Sequence, residues 1–236
     1  MDAQQTPPFN LSDQISLVKM DWLTSLGRSI LPAGYWGEGS AANGEKSEGK
    51  ADTKTLYLTY DDGPNPHTTR QLLELLEEEN VRATFFFIGA HVDRHQDLTG
   101  LQQLKNHTVG SHSYSHMYLP LLSSKSIENE VVKTNEVIEQ AIGSKPRVFR
   151  PPYGVIDQRA ADCLTEHQLK LVYWGAVPED WRVIGPERIT ERVAQRLADG
   201  KMIVLHEGRR IAEQTIQSTR QIIRRARAEG YEFKAL

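Results

Sequence analysis

Apolar positions along the chain change period again and again, and the changes mark the elements. Leu56-Tyr57-Leu58-Thr59-Tyr60 reads as a strand, and Leu72, Leu73, Leu75 and Leu76 then fall on one side of a helix that Thr68 and Gln71 would open as a capping box. Ala83 to Ile88 is a buried strand, and His107 to Gly110 a short one. A helix follows with Ile127, Val131, Ile138 and Ile142 on its inner face, ending at Gly143 with Pro146 beyond. Arg147 to Phe149, Lys170 to Trp174, Met202 to Leu205 and Tyr231 to Phe233 fit further strands, joined by helices near 157 to 167, 187 to 198 and 213 to 228. Strands separated by helices need crossovers, so the sheet should be mainly parallel. About seven such units predict an α/β fold, a distorted (β/α) barrel, with a doubly wound open sheet as the alternative.

Ahead of these units the pattern is different. Ile15, Val18, Trp22, Leu23 and Leu26 predict one amphipathic helix over 12 to 28 in a short arm, residues 1 to 36. Gly37 to Asp52 is rich in Gly, Ser and charge and lacks large apolar residues, so 37 to 53 reads as a linker and 54 to 236 as the main domain. The 236 residues carry a net charge of -3, with none of the basic excess that nucleic-acid binding uses, and no nucleic-acid partner is expected. No apolar run is long enough for a signal peptide or a membrane span, so the chain as written is expected in the cytoplasm unless an upstream start adds a signal. No feature marks a protein partner. The single Cys163 is read as a buried thiol.

Five polar clusters change the picture, because each falls just after a predicted strand: Asp61-Asp62-Gly63-Pro64, His112 with His116, Arg150-Pro151-Pro152-Tyr153-Gly154, Asp180-Trp181, and His206. In a parallel barrel those positions meet at one face, where active sites are built. His112 and His116 would project to one side if their segment were helical, and a carboxylate from another strand end would complete a three-ligand metal site open to water. Two adjacent carboxylates repel unless something positive holds them, and a divalent cation does so. The same two-His, one-carboxylate set serves iron(II) oxygenases, but those generally use antiparallel jelly rolls. His67, His91, His95, His107 and His167 lack matching partners and are read as surface or packing residues.

In order and spacing, Thr59-Tyr60-Asp61-Asp62-Gly63-Pro64, His112-Ser113-Tyr114-Ser115-His116, Arg150 to Gly154, Asp180-Trp181 and Val204-Leu205-His206 resemble the five motifs of the polysaccharide deacetylases, also called carbohydrate esterase family four or the NodB homology domain. Ala83 to Gly89 resembles a further family segment, and the resemblance runs from about 54 to 236. It implies a metal-dependent hydrolase that removes acetyl groups from N-acetylated sugars such as chitin oligomers or peptidoglycan. O-acetyl esterase action, within the same family, and non-catalytic carbohydrate binding are the alternatives. The resemblance makes Asp62, His112 and His116 the ligands of one divalent ion, zinc first, with cobalt, manganese or iron also suited. It makes Asp61 the general base, Arg150 the residue that orients it, and the Tyr153 N–H an oxyanion donor. His206 becomes the general acid with Asp180 as its charge partner, while Tyr153, Trp181 and Leu205 line the substrate and acetyl pocket. Three departures stand out: Tyr60 in place of Phe, Val177 where an earlier Asp is common, and Glu207 after the acid, read as supporting the site from behind or as solvated.

Overall fold

The computed structural model describes residues 29–36 and 54–236. The arm helix expected over 12 to 28 and the linker over 37 to 53 lie outside the described residues.

Seven strands form one sheet in which every pairing is parallel: β1 (Lys54–Gly63), β2 (Thr84–Phe87), β3 (Thr108–Ser111), β4 (Val148–Phe149), β5 (Lys170–Leu171), β6 (Lys201–His206) and β7 (Tyr231–Lys234). Their order is β5-β4-β3-β2-β1-β6, with β7 also on β1. β1 is the hub. Its outer half, Thr59 to Gly63, pairs with β2, its inner half, Lys54 to Tyr57, pairs with β7, and its other edge is covered by β6. A bridge from Ala176 to Ile203 joins the two ends of the sheet, curling it into a distorted barrel rather than leaving it open. The crossovers carry helices α1 (Thr69–Glu78), α2 (Gly89–Arg94), α3 (Gln96–Thr99), α4 (Ser124–Ile142), α5 (Gln158–Glu166), α6 (Pro186–Ala194) and α7 (Ala212–Ala228).

Strand alternation sorts the side chains. Leu56, Leu58 and Tyr60 point out and join Leu72, Leu73 and Leu76 of α1 and Ile222, Ile223 and Ala226 of α7 in the main core. The opposite face supplies a small inner layer, Phe86, Val148, Val172 and Met202, with Tyr57 and Tyr35 packed against it. α4 ends as its sequence predicts, on Gly143 in the left-handed region at φ 83°. The capping box on α1 does not form. Gln71 donates to the His67 carbonyl, and the Thr68 hydroxyl donates to Glu207 instead of accepting from the helix, because a buried carboxylate lies within its reach.

The end of the arm belongs to the barrel. Tyr35 N–H donates to the Leu171 carbonyl and Tyr173 N–H to the Tyr35 carbonyl, so Tyr35 occupies the strand position beside β5. The Tyr173 hydroxyl donates to the Pro32 carbonyl, and Trp36 stacks on Tyr173 at 4.2 Å between ring centroids. Trp36→Ala should therefore destabilise the fold by about 2 kcal/mol, less than a fully buried ring would. Urea denaturation followed by circular dichroism checks this, and an unchanged midpoint would show that the arm only touches the barrel.

Candidate active site

All five polar clusters converge on one cavity of about 680 Å³ at the carboxyl ends of the strands, and its wall includes Asp61, Asp62, His112, His116, Tyr153, Trp181 and His206. β1 creates the first pair of groups by an irregularity. Its register against β2 slips between Asp61 and Gly63, so Asp62 is an extra residue, held at φ 72°. A regular strand would send these neighbouring side chains to opposite faces, and the bulge instead lets both carboxylates reach the one cavity. Beneath it, a side chain at Gly63 would collide with the Glu207 carboxylate. Glu207 is 4% exposed, and both the Thr68 and Thr69 hydroxyls donate to its Oε2, so it supports the turn from behind and is not solvated. Burial pushes its carboxyl up to about 7 against the opposing bonds from Thr69 and Thr68.

The imidazole pair is assembled without a helix. Residues 112 to 118 form an irregular loop, with Ser113 and His116 in the left-handed region at φ 62° and 55°. Its hold comes from outside. Gly89 and Ala90 amides donate to the Ser113 and Tyr114 carbonyls, and the Ser115 amide and hydroxyl both donate to Glu130 on α4. His112 Nδ1–H donates to the Arg150 carbonyl at 2.7 Å, which fixes the tautomer and leaves Nε2 with its lone pair. Burial, helped by His112, lowers the His116 pKa from the ordinary imidazole value. Asp62 Oδ1 lies 3.6 Å from His112 Nε2 and 3.3 Å from His116 Nε2, and it is buried with no hydrogen-bond partner. An orphaned carboxylate oxygen facing two imidazole Nε2 atoms fits a cation among the three, which lie within 4.8 Å of one another.

On one side stands a buried ion pair. Arg150, 3% exposed, donates from Nη1 to Asp61 Oδ1 at 2.6 Å and to Thr59 Oγ1 at 2.8 Å, and from Nε to the Tyr173 carbonyl at 2.9 Å. Its guanidinium lies 4.1 Å over the Phe86 ring, closing the inner layer of the barrel as the floor of the site. Burial alone would raise the Asp61 carboxyl, but Arg150, followed by His112 and His206, holds it below its ordinary value.

On the other side Asp180, fully buried, accepts from the His206 amide at 2.6 Å and from His206 Nδ1–H at 2.9 Å. Burial works to lower His206, but the Asp180 charge and hydrogen bond outweigh it and push the imidazole up to about 9. Gln214 on α7 ties this loop down. Its amide nitrogen donates to the Asp180 and Arg182 carbonyls, and its oxygen accepts from the Ile184 and Gly185 amides.

The remaining expected residues divide. Tyr153 lies in a tight turn at φ 58°, whose own bonds run from the Gly154 and Val155 amides and leave the Tyr153 N–H out. Trp181 is half exposed, its ring 5.2 Å from that of His206. Leu205 faces away into the main core, and Val204 lines the cavity in its place, because β6 alternates and His206 shares its face with Val204. Val177, at the position of the missing Asp, is a buried part of the wall. Two contributors carried no sequence signal: His91, whose Nδ1–H donates to the Asp62 carbonyl at 2.8 Å, and Gln214. A lone His or Gln on a helix looks like any surface residue until the fold places it.

The polysaccharide deacetylase family model matches residues 48–172. The chain is 32% identical over 185 residues to the peptidoglycan-N-acetylglucosamine deacetylase PgdA of Listeria monocytogenes, a match covering 78% of this chain but only 38% of that protein. It is 32% identical to a chitooligosaccharide deacetylase of Rhizobium leguminosarum bv. trifolii, over 80% of this chain and 93% of that one. The solved structure of the peptidoglycan deacetylase PdaC from Bacillus subtilis superposes with a TM-score of 0.71 at 32% identity, covering 78% of this chain and 89% of that one. With five motifs gathered at one cavity of a parallel barrel, and with these matches, the chain belongs to the polysaccharide deacetylase family.

Proposed function

We propose that this protein is a metal-dependent hydrolase that releases acetate from N-acetylated sugars. The observation that carries the reading is the orphaned Asp62 Oδ1 between His112 and His116, flanked by an ionised carboxylate on one side and a charged imidazole on the other. Asp62, His112 and His116 would hold one divalent cation, zinc first, and cobalt, manganese or iron suit the same donors. When bound, the cation would polarise the acetyl carbonyl and lower the pKa of water toward about 7.

The chain's own residues do the rest. Asp61 takes the proton from the water that attacks the acetyl carbon, and Arg150 keeps that carboxylate ionised and aimed. The Tyr153 N–H faces the oxyanion that develops, and a donor of this kind is worth about 3 kcal/mol in other hydrolases. An amide nitrogen leaves only with a proton, so the C–N bond breaks as His206 Nε2 donates to it. Acetate and a free amine are the products. His206 stays charged for this step because Asp180 balances it out of water.

The names of the relatives support a peptidoglycan or chitooligosaccharide substrate. Esterase action on O-acetyl sugars needs the same groups, but an alkoxide depends less on a proton donor, so a His206 held cationic favours the amide. The test is acetate release from paired N-acetyl and O-acetyl glycans, with metal analysis. Purified protein should carry about one divalent ion per chain, and removing it with a chelator should abolish activity that zinc or cobalt restores. Full activity in protein shown to be metal-free would overturn the reading.

A further inference from the structure

The cavity that holds Asp61, Asp62 and His206 is not walled by the barrel alone. Residues 29–36 precede the stretch matched by the family model. They are pinned by the Tyr35 strand bonds, the Tyr173 hydroxyl on Pro32 and the Trp36 stack on Tyr173, and that pinning brings Ile30 and Leu31 to the cavity wall. There they join Val155, Trp174, Val177 and Val204. Apart from the Trp174 ring nitrogen, these side chains offer no hydrogen-bonding group.

Two facts bear on what meets this wall. Ile30 is 69% exposed although the segment carrying it is tied at three points, so a large apolar side chain is held out toward the cavity at the expense of leaving it in water. A sugar ring carries a hydroxyl on most of its carbons, and a hydroxyl turned to an aliphatic wall gives up water without gaining a partner. A hydrocarbon group loses nothing there and is driven onto the wall by its own burial.

We propose that Ile30 and Leu31 determine specificity, forming an apolar subsite that takes a hydrocarbon substituent of the acetylated sugar. The substrate class is then an amphiphilic N-acetyl glycoside, an acetamido sugar bearing an alkyl or acyl group, in preference to a bare glycan. This rests on the deacetylase reading above, and it assigns a role to a segment that none of the five motifs includes.

The test uses the full chain and three substrates: methyl and octyl β-N-acetylglucosaminide, both kept below the octyl compound's micelle concentration, and chitotetraose. The octyl glycoside should show kcat/KM at least tenfold above the methyl glycoside and above chitotetraose. In Ile30→Ser/Leu31→Ser the octyl advantage should fall to threefold or less, while kcat/KM for the methyl glycoside stays within threefold of the parent. Ile30→Ser alone, at an exposed position where folding is not at stake, should remove part of the advantage. Equal rates on the octyl and methyl compounds, a preference for chitotetraose, or an octyl preference that survives both substitutions would overturn the subsite while leaving the deacetylase reading intact. If none of the three releases acetate, calorimetric binding of the two glycosides decides. Tighter octyl binding that is lost in the variants supports the subsite even though the activity fails, and equal binding overturns it.

Discussion

Asp61→Asn should lower kcat for acetate release by about 10²- to 10⁴-fold, the range a general base supplies, while the purified protein still carries about one metal ion per chain. The amide keeps the shape of the side chain and can still meet the Arg150 guanidinium at Oδ1, but it is a far weaker proton acceptor. Asp62→Ala should behave differently. It removes the orphaned oxygen that faces His112 and His116, so metal affinity and rate should fall together. The separation follows from the different partners the bulge gives two neighbours in one cavity, Arg150 for Asp61 and the two imidazoles for Asp62. Metal content and kcat measured on both variants decide the matter, and loss of the ion in Asp61→Asn with retention in Asp62→Ala would reverse the assigned roles.

The second large effect concerns His206, the proposed general acid. His206 must carry its proton to donate it, so activity should fall at alkaline pH as the imidazole, raised to about 9, releases that proton. Asp180→Asn removes the negative charge that does most to raise it. With burial still favouring the neutral ring, the folded pKa drops and the alkaline limb of kcat must move to lower pH, by more than one unit. With Asp61 as the proposed base, the acidic limb should move little. A pH profile of both proteins, together with a melting curve to confirm that the Asn variant is folded, tests the pairing. An unmoved alkaline limb would show that another group sets it.

What the sequence disclosed follows from which interactions are local. Period and turn residues are properties of short stretches, so the βα units and the stop at Gly143 were legible, as was the gathering of motifs at strand ends, since a parallel barrel puts all those ends on one face. Geometry set by partners far along the chain was not. The i, i+4 spacing of His112 and His116 would align the rings on a helix, but the pair meets through a loop tied to Glu130 and α2, and no spacing rule encodes such ties. The slip at Asp62 depends on β2 and on Glu207 behind the turn. Leu205 was assigned to the pocket by motif, although the simple alternation of a strand already favoured Val204 once His206 was placed inside. The arm read as a separate segment because its attachment, Tyr35 at the barrel seam, is one residue of strand.

The central position of β1 also bears on the order in which the molecule can be made. Thr59 donates to the Ile203 carbonyl across 144 residues of chain, and Thr55 bonds Glu232 across 177. At about 5 to 20 residues per second, a ribosome needs roughly 7 to 30 s after β1 emerges before β6 can reach it. By the end of that interval the chain contains both carboxylates, the histidine pair and Arg150, but the strand that presents Asp61 still has an open edge and lacks His206. Closing loops of this length comes late in folding, so the catalytic face cannot assemble piecemeal as its motifs are synthesised. An exposed β1 edge is also a template for pairing with other chains, so until β6 docks the nascent protein is open to aggregation there.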